Sequence, residues 1–170
     1  MIDIERLVSK MKESELKKSL GAIAEYSCFV KLEQAHEVQR VKDYQKDVAA
    51  TFHPDYGKML STFNGGMLFS TKVYGIEVDD GVMDLGKQNK YLHESNSVPS
   101  DMLAIAEEDY GDFICMKRDG SSAEVFAFGI DDSGILACIC TWNSIYEWLD
   151  DELVAGEELI ATDNLDPYMQ

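Results

Sequence analysis

With 32 acidic against 15 basic side chains in 170 residues, the chain carries a net charge of −17, a field that repels phosphate and argues against direct binding to nucleic acid or an anionic membrane surface. The length suits one domain, spanning 1–170, that buries roughly 70% of its extended-chain surface without stapling. Cys28, Cys115, Cys138 and Cys140 have neither metal-ligand spacing nor the density of a secreted disulfide scaffold, and no stretch reads as a signal peptide or membrane span, so a soluble, cytoplasmic protein is expected.

In chain order, Ile4, Leu7, Val8 and Met11 make an amphipathic stripe that predicts a peripheral helix over residues 2–20, ended by Leu20-Gly21. Residues 33–48 are a second helical segment, with Val38, Val41, Tyr44, Gln45 and Val48 on one side. The third begins at Pro54-Asp55: proline suits the first helical turn, and aspartate favours the positive end of the helix dipole. Tyr56, Met59, Leu60 and Phe63 then recur at three- and four-residue spacing, which predicts one buried face. Asn64-Gly65-Gly66 accepts positive φ and is expected to let the chain leave the helix left-handed.

From residue 66 onward the period becomes that of strands. Met67–Phe69 and Val73–Val78 read as short paired strands, residues 84–95 as a short helix, and Met102–Ala106 as an apolar run after a break at Ser97–Asp101. A meander follows: strands at 112–117, 123–128 and 135–140, joined by turns at Arg118-Asp-Gly-Ser-Ser and Ile130-Asp-Asp-Ser-Gly134. Thr141 is placed to cap a closing helix through Trp142, Ile145, Trp148, Leu149 and Leu153. The pattern predicts an α+β fold, a mostly antiparallel multi-stranded sheet flanked by helices.

The residue types that carry chemistry are scattered. His36, His53 and His93 do not have zinc-site spacing, and His53 has a sufficient role as cap or packing residue beside Pro54. Cys138 and Cys140, two apart on a strand, are expected on one sheet face as small buried residues with no adjacent base. Asp79-Asp80-Gly81 and Asp131-Asp132-Ser-Gly134 lack the alternating ligands and terminal glutamate of a calcium loop and read as turns. Asn64-Gly65-Gly66 follows a helix instead of opening one, so it is no phosphate loop. Trp148 is expected in the core with Leu149 and Leu153. No catalytic residue, metal or cofactor is assigned.

The charge is unevenly placed. Residues 1–50 hold nine groups of each sign, 51–118 hold six basic against eleven acidic, and 119–170 hold none against twelve. Acidity for solubility is one account; a surface for a basic protein partner is the other, and the segregation favours it.

Taken in order, these pieces resemble the SUKH superfamily of bacterial immunity proteins and fungal cell-wall assembly regulators. The resemblance rests on His53-Pro54-Asp55-Tyr56 before Asn64-Gly65-Gly66, on Ile105-Ala-Glu-Glu-Asp-Tyr-Gly111-Asp112-Phe-Ile114 leading into a core strand, and on the strand, turn, strand and Trp142-containing helix that close the domain. It spans about residues 33–153; the first helix and the tail after Leu153 are extensions. Pro54, Asp55, Tyr56, Asn64, Gly65, Gly66, Gly111, Asp112 and Trp142 are thereby read as structural. The resemblance implies a non-catalytic protein that binds and occludes a toxin, many such toxins being nucleases with a basic cleft. Asp131, Asp132, Glu147, Asp150, Asp151 and Glu152 are expected to supply part of the binding surface. The alternative it implies is a regulatory interaction module of the fungal kind.

Overall fold

The computed structural model describes Ser9 and residues 31–32, 35–79 and 81–163; the helix expected over 2–20 and the tail beyond 163 lie otherwise outside them. Seven strands form one sheet in chain order, every neighbouring pair antiparallel: β1 (Lys31–Leu32), β2 (Gly66–Leu68), β3 (Thr71–Val73), β4 (Met102–Glu107), β5 (Phe113–Lys117), β6 (Val125–Ile130) and β7 (Leu136–Trp142). The helices are α1 (Val38–Asp47), α2 (Pro54–Leu60), α3 (Leu85–Glu94) and α4 (Ile145–Asp163). The α+β class expected from periodicity is the class observed, and β1 is a strand that its two residues were too short to announce.

Register places the core. Cα partners share a sheet face, so Leu68, Val73, Leu103, Ala106, Ile114, Met116, Val125 and Ala127 all line one side. Each is at most 2% exposed. Thr71 and Trp142, near opposite ends of the same face, both reach α4: the Thr71 hydroxyl donates to Glu152 Oε2 at 2.7 Å and the Trp142 indole N–H to Asp151 Oδ2 at 2.7 Å. Helix α4 therefore crosses this face and buries Ile145, Trp148, Leu149 and Leu153. Tyr146 donates to Asp55 Oδ1 at 3.1 Å, tying α4 to the start of α2.

Helix α2 follows its sequence signals closely at its start. Pro54 is the first helical residue, and the His53 side chain caps it by accepting from Asp55 N through Nδ1 at 3.3 Å. Tyr56, Met59, Leu60 and Phe63 are all buried. The end differs from expectation. The helix stops at Leu60, where the Ser61 and Thr62 hydroxyls bond back to the carbonyls of Gly57 and Lys58. Asn64 does not take positive φ; Gly65 does, at 76°, and a Cβ there would lie 2.5 Å from the Val73 carbonyl oxygen. The glycine thus serves close backbone approach between the α2–β2 loop and β3, not helix termination.

Tyr56 buries its hydroxyl without a hydrogen-bond partner among the described residues. Tyr56→Phe is accordingly expected to leave stability unchanged or to raise it by up to about 1 kcal/mol. A urea midpoint clearly below that of the parent contradicts this.

The strand expected over Val73–Val78 ends at Val73. Beyond it, the buried Asn64 side chain replaces a ladder partner: its Nδ2 donates to Ile76 O at 2.7 Å and its Oδ1 accepts from Ile76 N at 2.9 Å. Asn89 does the same for β4. Its amide pairs Ala104 N at 2.8 Å and Ala104 O at 2.7 Å, locking α3 along the part of β4 that the shorter β3 leaves uncovered.

Two expectations near the C-terminal end are corrected. Thr141 and Trp142 are the last residues of β7, and α4 begins only at Ile145, where the Ser144 hydroxyl accepts from Glu147 N at 3.2 Å. Cys138 and Cys140 are exposed, and they do not share a face. A bulge at Ile139 pairs Cys138 with Phe128 and Cys140 with Ala127, adjacent residues of β6, so the slip turns the two thiols to opposite sides.

Candidate partner-binding surface

Of the six carboxylates singled out in the sequence, five fall into two groups around β7. Asp131 and Asp132 sit exposed in the β6–β7 turn, which Asp131 builds by accepting from Ser133 N and Ile135 N, each at 2.9 Å through Oδ1, while Gly134 takes φ 76°. At the other end of β7, Glu147 Oε2 accepts from the backbone N–H of Asn143 at 2.7 Å and from its side-chain amide at 2.9 Å. Asp151 holds the Trp142 indole. Asp150, half-buried, lies between them on α4. The edge strand is thus bracketed by carboxylates whose positions are set by the turn and by the helix start.

Glu152 belongs elsewhere. Burial holds its carboxyl above the ordinary range even though the Thr71 hydroxyl bonds it. Burial, with the Glu152 and Asp112 carboxylates nearby, pushes Glu108 up to about 7. Glu108 N also donates to Asp112 O at 2.9 Å across the β4–β5 turn, where Gly111 takes φ 88°. Sequence reading passed over Glu108 because its burial and the nearness of the Glu152 carboxylate depend on α4, far along the chain.

The sign of the consequence is definite. A folded-state carboxyl whose pKa lies above its unfolded value of 4.5 binds a proton that the unfolded chain has released, so it subtracts from stability as pH rises between about 4.5 and 7, fully so above. Glu108→Gln is expected to raise the melting temperature at pH 8 and to leave it nearly unchanged at pH 4.5. Equal effects at both pH values rule this out.

His36, His93 and Arg118 have structural partners. His36 Nε2 lies 3.1 Å from Ile76 O. His93 Nε2 lies 2.9 Å from Met102 O, so its Nδ1 is the acceptor for Arg118 Nη1 at 3.0 Å. Arg118 also donates to Val48 O at 3.0 Å and Ala49 O at 3.2 Å, closing the C-terminal end of α1. It stands in an open cleft of about 800 Å³ with Lys42, Lys46, Asp101, Lys117 and Asp119 on its walls. Lys117 is paired to Asp101 at 2.7 Å and Lys46 to Asp43 at 3.1 Å, which leaves little uncompensated positive charge there. Burial pushes the Cys115 thiol well up, away from reactivity. Among the described residues no group of three or more metal-ligating side chains comes together, and no helix is long and apolar enough to cross a membrane.

A chain-order antiparallel sheet with one face crossed by α4 defines an α+β fold. The chain belongs to the SUKH group, in the family described as SMI1-KNR4 cell-wall, whose model matches residues 4–154. Membership supports an immunity or regulator-like domain. A crystal structure of a protein from Pseudomonas syringae pv. tomato has a similar fold, with a TM-score of 0.62 over 86% of this chain and 96% of that one at 12% identity. No curated protein matches the sequence.

Proposed function

We propose that the protein is a cytoplasmic, non-catalytic immunity protein that binds a toxin with a basic surface and neutralises it by occlusion. The observation that carries this reading is the acidic rim around β7, formed by Asp131, Asp132, Glu147, Asp150 and Asp151 in a region, residues 119–170, that contains no lysine or arginine. Such a rim accelerates encounter with a cationic partner and disfavours others. Family membership supports a partner-binding role.

The test pairs charge reversal with salt. Asp132→Lys together with Asp150→Lys is expected to slow association with a cognate toxin by about tenfold or more at low ionic strength. The difference is expected to collapse near 1 M salt, where the screening length is about 3 Å. Growth rescue on co-expression is the accompanying readout. Association indifferent to both charge reversal and salt overturns the reading.

The family's cell-wall description favours a second reading, a regulatory module docking on a biosynthetic or signalling enzyme. A toxin gene immediately beside this one supports immunity; its absence supports regulation.

A further inference from the structure

Strand β7 is the outermost strand on its side of the sheet, and among the described residues nothing pairs with its outer edge. Its seven residues, Leu-Ala-Cys-Ile-Cys-Thr-Trp, include no charge and no proline. An edge of this kind presents unpaired N–H and C=O groups to any extended chain, and proteins normally blunt it with lysines, proline or a short strand. Among the described residues the strand at the opposite edge, β1, is two residues long. On β7 the sole such device in the strand is the bulge at Ile139. Cys138, Ile139, Cys140 and Thr141 are exposed although they point to both faces, so neither α4 nor any other described element covers the middle of the strand.

Charge selects the occupant. Asp131 and Asp132 precede β7, and Glu147 and Asp151 stand at its far end through Asn143 and Trp142. A second copy adding antiparallel about a two-fold axis brings the start of one β7 beside the end of the other, acid against acid. A segment with basic residues at both ends meets the opposite sign at both ends.

We propose that β7 is a strand-addition site: a partner's extended segment, apolar at alternate positions and flanked by lysine or arginine, pairs with it as an eighth strand. This deepens the occlusion reading and rests on it for the identity of the partner. The main chain supplies affinity, and the carboxylates at the two ends supply orientation and speed of encounter. At about 3.3 Å per residue the available edge is roughly 23 Å long, and the bulge divides it into two short ladders.

The experiment needs no toxin. A synthetic peptide of alternating valine and threonine, as long as β7 and carrying paired lysines at each end, is added to the full chain, and backbone hydrogen exchange is followed residue by residue. Exchange within 136–142 is expected to slow by about tenfold or more, with β2 to β5 unchanged. The same peptide N-methylated at alternate amides is expected to give no such protection, and Ile139→Asp, which adds negative charge but disfavours the strand, is expected to weaken it. Three results overturn the proposal: no protection of β7, equal protection by the N-methylated peptide, or protection that grows with protein concentration alone and so reports self-pairing. Failure here alongside toxin binding that depends on Asp132 and Asp150 leaves the occlusion reading intact. Protection of β7 by the peptide with no toxin neutralised separates the two in the other direction.

Discussion

Trp148→Ala is expected to lower folding stability by about 3–5 kcal/mol, the range for removing a large aromatic side chain from a closed core. Trp148 is 0% exposed and is the largest of the fully buried side chains. It lies on α4 between Ile145, Leu149 and Leu153, where the helix crosses the buried sheet face, so the vacated volume is bordered by secondary structure on both sides. Such a wall collapses poorly. Against a typical total of about 5–15 kcal/mol, the loss is a large fraction of what holds a domain together. For a chain of this length it corresponds to a fall in melting temperature on the order of 10 °C. Urea denaturation followed by tryptophan-independent circular dichroism provides the measurement. A loss under about 1 kcal/mol shows that α4 is not packed as described.

The second large effect is polar. Asn64→Ala is expected to cost about 3 kcal/mol, although it deletes no more than one small amide. Asn64 is 3% exposed, and its two hydrogen bonds satisfy both the N–H and the C=O of Ile76, itself 0% exposed. The carbonyl retains His36 at 3.1 Å; the N–H loses its partner in a place that water does not reach. Cost therefore comes from the group left behind more than from the bond removed. Asn64→Asp supplies the internal control, because it keeps an acceptor for Ile76 N while setting a carboxylate against Ile76 O. Of the two, Asp is expected to be destabilising chiefly above its own titration range, whereas Ala is destabilising at every pH. Matching pH profiles for the two variants contradict this account.

Much of the architecture was legible in local pattern. Pro54-Asp55 with the Tyr56, Met59, Leu60 and Phe63 stripe marks α2, and the Asp-Gly and Asp-Asp-Ser-Gly turns mark β5, β6 and β7 to within a few residues. What went unread depended on partners distant in the chain. Trp142 continues an apolar helical stripe on paper, yet the ladder with Val125 keeps it in β7. Asn64 read as a turn residue, and its role emerges only when Ile76 arrives twelve residues later as its bonding partner. For the surface, the acidic character of residues 119–170 was countable, but the division of those acids was not. Glu152 joins Glu108 and Asp112, while Asp131, Asp132, Glu147 and Asp151 bracket an edge strand.

Sequence by itself determined the fold class, the helix over α2, the meander of β5 to β7, the family resemblance and the sign and location of the charge excess. These follow from periodicity, turn chemistry and composition, which act over a few residues or add up irrespective of conformation. Tertiary structure alone decided that β7 is an edge strand among the described residues, that the bulge at Ile139 turns Cys138 and Cys140 to opposite faces, and that Glu108 is pushed up to about 7. Each of those depends on strand register or on burial among distant segments, and a one-residue shift in register is enough to reverse which side chains meet.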